Sequence, residues 1–102
     1  MNGATINNNN EALVVSGAIN FNTVVPLRQL GASLIKEINK PIIDFKGVTQ
    51  CNSTGLALMM AWKRAAKEAH KAIQFVNVPP SLLSIADVCD VSEILGLTVN
   101  YG

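Results

Sequence analysis

Apolar and polar positions follow two different periods along the chain, and each change of period marks a new element. Short β-branched or continuous apolar runs, which are typical of strands, recur through the sequence: Ala4–Ile6, Ala12–Ile19, Pro41–Phe45, Ala72–Val78 and Leu97–Tyr101. The first two runs predict a hairpin whose turn is the polar stretch Asn7–Asn10, and Gly17 predicts either a bulge or a close backbone approach in its second strand. Because Pro41–Phe45 is apolar almost throughout, we expect this strand to be buried on both faces.

Apolar residues at spacings of three and four predict three helices between these strands. The first helix follows capping side chains in Asn20–Thr23 and is expected to bury one stripe: Val24, Leu27, Leu30, Leu34, Ile35 and Ile38. The second helix is predicted over Ser53–Lys71, and the third from Pro79 to about Cys89. This alternation predicts an α/β fold, with about three to four helices packed against a small mixed sheet. No linker or repeat divides the sequence, so we expect residues 1–102 to form a single domain.

The second helix is predicted to have a mixed outer face. At about 100° per residue, one arc is apolar and is expected to face the core: Leu58, Met59, Trp62, Ala65, Ala66 and Ala69. The opposite arc is mostly basic: Lys63, Arg64, Lys67, His70 and Lys71. Leu56 and Met60 fall within that polar arc, so two large apolar side chains are expected to be exposed, and we expect His70 to be a solvated surface residue. Scattered exposed apolar residues are normal, but two neighbours at this spacing also predict a docking patch.

Composition narrows the classes of function. The chain is 49% hydrophobic and only 15% charged, and its net charge of +1 lacks the clustered basic excess that DNA or RNA binding requires. The longest apolar run, Leu56–Trp62, is far shorter than the roughly 20 residues of a membrane-spanning helix. Residues 1–10 also lack the basic and apolar regions of a secretory signal. We therefore expect a cytoplasmic protein that neither binds nucleic acid nor inserts into a membrane.

The sequence offers no catalytic, cofactor-binding or metal-binding constellation. Its carboxylates are scattered, it lacks glycine-rich phosphate motifs, and Cys51 and Cys89 are expected to be reduced, buried structural thiols. The hydroxyl pair Ser53 and Thr54 stands out because it opens a helix, where free N–H groups and the helix dipole favour an anion such as a phosphate on Ser53. Plain helix capping by either hydroxyl explains the same pair.

Several stretches together resemble the STAS domain family over most of the chain, from about Ala12 to Leu97. The resemblance lies in a strand and turn, a buried strand with its exit, and the opening of a helix: Val15–Asn20, Ile43–Val48 and Asn52–Leu58. Within that family, three further stretches are most similar to the accessory subunit of Mla-type phospholipid-transport ABC systems: Thr23–Leu27, Leu56–Ala65 and Ile73–Pro79.

This resemblance implies a non-catalytic module that binds the ATPase subunit of a Mla-type ABC complex at the cytoplasmic face of the inner membrane. Its role would be to support assembly or activity of the complex, and so outer-membrane lipid asymmetry. The implied contact residues lie before and along the second helix: Ser53, Thr54, Leu56, Met60, Lys63 and Arg64.

The same family implies an alternative function. In sigma-regulating relatives the residue that matches Ser53 is phosphorylated, so the chain would instead be an anti-sigma factor antagonist switched by phosphorylation. The family usually carries Asp where this chain has Asn52. The loop therefore lacks a carboxylate that a partner kinase would recognise.

Overall fold

A computed structural model describes residues 3–9 and 12–97 and builds them into one mixed sheet covered by helices. The strands and helices, in chain order, are β1 (Thr5–Asn9), β2 (Ala12–Ile19), α1 (Val24–Glu37), β3 (Ile42–Cys51), α2 (Thr54–Glu68), β4 (Gln74–Val76) and α3 (Pro80–Val88). The sheet order is β1-β2-β3-β4. β1 pairs antiparallel with β2, whereas the β2–β3 and β3–β4 pairs are parallel. The predicted α/β fold class is confirmed.

The N-terminal hairpin has a longer first strand than the sequence predicts. Asn7, Asn8 and Asn9 belong to β1 and pair with β2, so the predicted turn is wrong at these positions. Backbone pairing along β2 outweighs the low strand propensity of asparagine. Position 10, the last residue of the predicted turn, lies outside the described residues. The irregularity predicted at Gly17 is confirmed: its φ is 94° and the β2–β3 register shifts between Gly17 and Ala18.

The two strands that follow differ from their predicted lengths in opposite directions. The run Ile43–Phe45 is buried, as expected, but β3 continues through exposed positions to Cys51. β4 is limited to Gln74–Val76. Of the last predicted strand, Leu97 is not in a strand, and 98–101 lie outside the described residues.

The buried stripe of α1 is shifted from the predicted one. Leu27, Gly31 and Ile35 are the buried residues, while Leu30 is 54% exposed, so its prediction as a core residue is wrong. At about 100° per residue, Leu30 lies roughly a quarter turn from the centre of that stripe. The centre is occupied by a glycine, which hydrophobicity does not reveal.

Trp62 joins α2 to α1 and to the sheet. Its side chain is completely buried, and its indole Nε1–H donates a hydrogen bond to the carbonyl oxygen of Arg28 at 3.2 Å. The indole stacks on Phe45 of β3, with ring centroids 6.4 Å apart. A Cβ added at Gly31 would overlap the indole, so the closest approach of α1 to α2 requires glycine at this position. The predicted core role of Trp62 is confirmed.

A lysine side chain joins the two helices at their C-terminal ends. Lys71 follows α2, and its Nζ donates hydrogen bonds to the carbonyl oxygens of Ile35, at 3.0 Å, and of Lys36. These carbonyls belong to the last turn of α1, where backbone acceptors have no partner within the helix and a cation complements the helix dipole. The α1–α2 pair is therefore fixed near its middle by Trp62 and at its C-terminal end by Lys71.

Replacing Gly31 with alanine tests the tryptophan contact. In an ordinary helix this substitution stabilises by about 1 kcal/mol, but here the added methyl overlaps the indole, and we expect a loss of about 1–3 kcal/mol in the free energy of unfolding. Urea denaturation measures the difference. Ser33→Ala, at an exposed position of α1, serves as the control and should change stability by less than about 0.5 kcal/mol. A Gly31→Ala variant as stable as the parent protein would contradict this account.

Candidate functional site

Two loops meet at one edge of the sheet. Ile19 at the end of β2 lies opposite Cys51 at the end of β3, so the chain leaves both parallel strands side by side. The Asn52 N–H donates to the carbonyl oxygen of Ile19 at 3.4 Å, which joins the two loops. Binding residues in α/β sheets gather at the carboxyl ends of parallel strands. This edge is therefore the candidate functional site.

The loop between β2 and α1 holds an aromatic side chain in solvent. Asn20 Oδ1 accepts hydrogen bonds from the N–H groups of Asn22 and Thr23, at 2.9 and 3.2 Å. The buried Thr23 hydroxyl donates to the carbonyl oxygen of Ala18 at 2.8 Å and accepts from the Asn20 N–H at 2.9 Å. Phe21 stands at the tip of this tight turn and is 79% exposed.

The loop between β3 and α2 uses a similar arrangement. Asn52 Oδ1 accepts hydrogen bonds from the backbone N–H of Thr54, at 2.9 Å, and from the Thr54 hydroxyl. Ser53 occupies the N-cap position but its side chain makes no capping hydrogen bond. The prediction that Ser53 or Thr54 caps the helix is therefore wrong, because Asn52 supplies the acceptor. Its amide oxygen fills the role that an aspartate oxygen would fill.

The structure separates the six predicted contact residues into two sets. Ser53, Met60 and Arg64 are exposed, and at about 100° per residue they form one stripe along α2. The other three are buried or half-buried: Thr54, Leu56 and Lys63. The predicted exposure of Leu56 is wrong, because this side chain packs against the hydrophobic core.

The N-terminal part of α1 adds exposed residues that were not predicted as contact residues. Val25 in the first turn of α1 is 49% exposed. An apolar groove of about 170 Å³ runs between α1 and α2, lined by Val24, Val25, Arg28, Ala57, Leu58 and Ala61. Phe21 precedes this helix and was predicted only as part of a capping segment. The sequence does contain a signal for the exposure of this side chain. The phenylalanine lies between two asparagines, and a turn of that composition is seldom buried.

We call the exposed residues Phe21, Val25, Ser53, Met60 and Arg64, together with the groove, the α1/α2 surface. Its charged groups are cationic, because Arg28 lines the groove, Arg64 belongs to the exposed stripe of α2, and neither helix has an acidic residue in its first turn. Both helix N-termini also carry a partial positive charge. The surface therefore combines exposed apolar side chains with a positive potential, which suits a partner patch that is apolar and acidic.

Four other titratable side chains of the chain have ordinary structural environments. Asp44 is buried, but its Oδ1 accepts hydrogen bonds from the Lys46 N–H at 2.8 Å and from Asn77 Nδ2 at 3.0 Å. Burial raises the pKa of the half-buried Cys51 thiol. Cys89 is exposed, so its prediction as a buried thiol is wrong, while His70 is exposed as expected. Within residues 3–9 and 12–97, no three His, Cys, Asp or Glu side chains are grouped so that they could hold a metal ion.

Solved structures share this arrangement of strands and helices. The chain is similar to a chain of the Acinetobacter MlaFEDB complex in its ATP-bound Vtrans2 conformation, with a TM-score of 0.73 and 32% identity over 87% of this chain and 95% of that chain. It shares its fold with the unphosphorylated anti-sigma factor antagonist SpoIIAA, at a TM-score of 0.61, 16% identity and coverage of 86% of this chain and 82% of that one. An anti-sigma-factor antagonist (STAS) domain protein from Planctomyces limnophilus also shares it, at a TM-score of 0.64, 18% identity and coverage of 92% and 86% respectively.

The fold thus defines a STAS-type domain. The family model described as "Mlab, STAS domain" matches residues 3–97, and the chain belongs to this MlaB family of STAS domains. The resemblance found in the sequence is confirmed. Comparison with curated proteins yields no match. In the part of the chain that the structure describes, every helix is too short or too polar to cross a membrane.

Asn52 variants test how the second loop is held. Asn52→Ala removes the acceptor for Thr54 and should cost about 1 kcal/mol of stability. Asn52→Asp keeps the acceptor and adds a negative charge at a helix N-terminus, so we expect a gain of about 0.3–1 kcal/mol at pH 7. Such a helix end lowers the pKa of the new carboxyl below its unfolded value, so the gain should be lost as the pH falls through about 4.

Urea denaturation at pH 7 and at about pH 3 measures both effects. Ser53→Ala is the matched control, because the Ser53 side chain makes no capping hydrogen bond, and its stability should stay close to that of the parent protein. If Ser53→Ala were as damaging as Asn52→Ala, the assignment of the cap to Asn52 would be wrong.

Proposed function

We propose that this chain is a non-catalytic accessory subunit that docks on the ATPase subunit of a Mla-type phospholipid-transport ABC complex. Docking would support assembly or activity of the complex, and so the lipid asymmetry of the outer membrane. The protein would then be located at the cytoplasmic face of the inner membrane, through its complex rather than by insertion. The similarity to a chain of the MlaFEDB complex supports this function.

The α1/α2 surface is the proposed contact, and its exposed apolar side chains are the observation that carries the proposal. Phe21 lies in the turn held by the Asn20–Thr23 hydrogen bonds and Val25 lies in the first turn of α1, so the backbone of both is already ordered and little backbone entropy is lost on binding. Buried aromatic and arginine anchors commonly carry most of the energy of an interface. Phe21, Arg28 and Arg64 are of those types.

Charged substitutions on this surface test the proposal. Val25→Asp and Met60→Asp replace exposed apolar side chains, so the free chain should remain folded by circular dichroism. One large buried apolar contact contributes about 1.5–3 kcal/mol, and a charge buried in its place adds a desolvation cost. We expect each variant to lower the affinity for the Mla-type ATPase subunit of the same organism at least about tenfold, measured by co-purification and by titration calorimetry.

Leu30→Asp is the matched control. Leu30 is as exposed as Val25, but it lies about 140° around α1 from Val25 at 100° per residue. This variant should bind the ATPase subunit normally. Undiminished binding by folded Val25→Asp and Met60→Asp variants would reject the α1/α2 surface as the contact, and failure of the parent protein to bind would reject the proposed function.

A second candidate function rests on Ser53 alone. Its hydroxyl is exposed at the start of α2 and makes no capping hydrogen bond, so a kinase could reach it, and a phosphate there would lie at the positive end of the helix dipole. The chain would then be an anti-sigma factor antagonist, released from or held by its partner according to the state of Ser53. Asn52 disfavours this function, because a neutral amide stands where the family usually has a carboxylate.

Mass spectrometry of the protein purified from its native host separates the two candidates. The accessory-subunit function predicts unmodified Ser53 across growth phases, with the ATPase subunit as the co-purifying partner. The antagonist function predicts a phosphate on Ser53 and none on Ser33, an exposed serine of α1 that serves as the internal control. Ser53 that stays unmodified in every growth phase, with no anti-sigma factor among the co-purifying proteins, would contradict the antagonist function.

A further inference from the structure

α3 carries a second apolar surface that the α1/α2 surface does not include. Val88, at the end of this helix, is 85% exposed. A shallow groove of about 220 Å³ lies along the helix, lined by Ser84, Ile85, Val88 and Cys89. Val88 is three and four residues from Ile85 and Ser84, and Cys89 is four residues from Ile85, so these positions share one side of the helix. We call these four residues the α3 surface, and the turn that follows it adds an exposed Ile94.

The charged residues of the chain segment that carries this surface are all acidic. All eight Lys and Arg residues of the chain lie between Arg28 and Lys71, and residues 72–102 contain no Lys, Arg or His. The same segment contains three acidic residues: Asp87, Asp90 and Glu93. Asp90 directly follows Cys89, and both Asp90 and Glu93 are exposed. An apolar groove with an acidic border therefore complements a ligand that is apolar and basic.

The size of the α3 surface limits what can occupy it. α3 has nine residues and is about 13 Å long at 1.5 Å per residue. One stripe of such a helix is far smaller than the roughly 800 Å² per partner of a stable interface between globular domains. A second copy of this chain therefore fits poorly. The acidic border would also repel an anionic membrane surface. A short peptide segment satisfies both limits.

We propose that the α3 surface binds a short segment of another protein, in which one or two apolar side chains are flanked by Lys or Arg. An apolar side chain would occupy the groove between Ile85 and Val88, and its cationic neighbours would face Asp90 and Glu93. Exposed ion pairs add little affinity but favour one sign of charge, so the apolar contact supplies the binding energy and the carboxylates supply the selectivity. This site is independent of the proposed ATPase contact.

A designed peptide pair tests the proposal directly. The probe is a synthetic amphipathic helix with Leu on one face and Lys on the other, and the matched control peptide carries Glu at every Lys position. We expect the Leu/Lys peptide to shift the methyl NMR signals of Ile85, Val88 and Ile94, and the Leu/Glu peptide to leave them unchanged. Val88→Ser should weaken Leu/Lys binding about tenfold, while Leu30→Ser, at an exposed site of α1, should not.

Cys89 provides a readout that needs no substitution. It is an exposed thiol within the α3 surface, so the bound Leu/Lys peptide should slow its alkylation by iodoacetamide in the parent protein. Cys51, which is half-buried and has a raised pKa, is the internal reference and should be unaffected.

Four results would overturn the proposal. Equal binding of both peptides would remove the role of the carboxylates, and signal shifts confined to Val25 and Met60 would move the site to the α1/α2 surface. A concentration-dependent dimer in sedimentation velocity that Val88→Ser abolishes would make a second copy the occupant. Flotation with phosphatidylglycerol vesicles that Val88→Ser abolishes would make a membrane the occupant. None of these results bears on ATPase binding, so failure here is distinguishable from failure of the proposed function.

Discussion

The contact between Trp62 and Gly31 fixes the helix layer on which the α1/α2 surface depends. The indole fills the space that a side chain at position 31 would otherwise occupy, and it stacks on Phe45 of the sheet. Its hydrogen bond to the carbonyl oxygen of Arg28 fixes where α2 lies along the axis of α1. The contact also sets the distance between α1 and α2, and the width of the groove between Val25 and Ala57 follows from it. A residue that touches no partner thus sets the shape of the surface that a partner would meet.

Much of the fold could be predicted from the sequence because hydrophobic periodicity reports which face of an element is buried. α2 is the clearest case, since the apolar arc around Leu58 and Trp62 is the face that the structure buries. The same reasoning failed where packing depends on the absence of a side chain. Gly31 carries no hydrophobic signal, so the predicted stripe of α1 omits it and includes Leu30, although its other five residues are buried or pack against the core. Strand pairing of Asn7–Asn9 was missed for a related reason, because it depends on β2 and not on local propensity.

The location of the candidate site could be predicted from the sequence, but the roles of its individual residues could not. The loop before α2 was identified from its hydroxyl pair, yet the amide of Asn52 holds the loop, leaving the Ser53 side chain without a role in capping. Asn20 and Thr23 form a comparable arrangement after β2. Two neighbouring strands thus end in similar side-chain-to-backbone turns, and their pairing at Ile19 and Cys51 places both turns together. That juxtaposition is a long-range property, which neither loop reveals by itself.

Trp62 is the only tryptophan in the sequence, and its position has a spectroscopic consequence. Nearly all of the intrinsic fluorescence of this protein originates from the α1–α2 junction, directly behind the groove between those helices. The indole is fully buried, so its emission responds to events that separate the two helices or admit water between them. Binding on the outer side of α3 leaves that environment in place. The fluorescence of Trp62 therefore reports on events at the α1/α2 surface, and not at the α3 surface, without an added label.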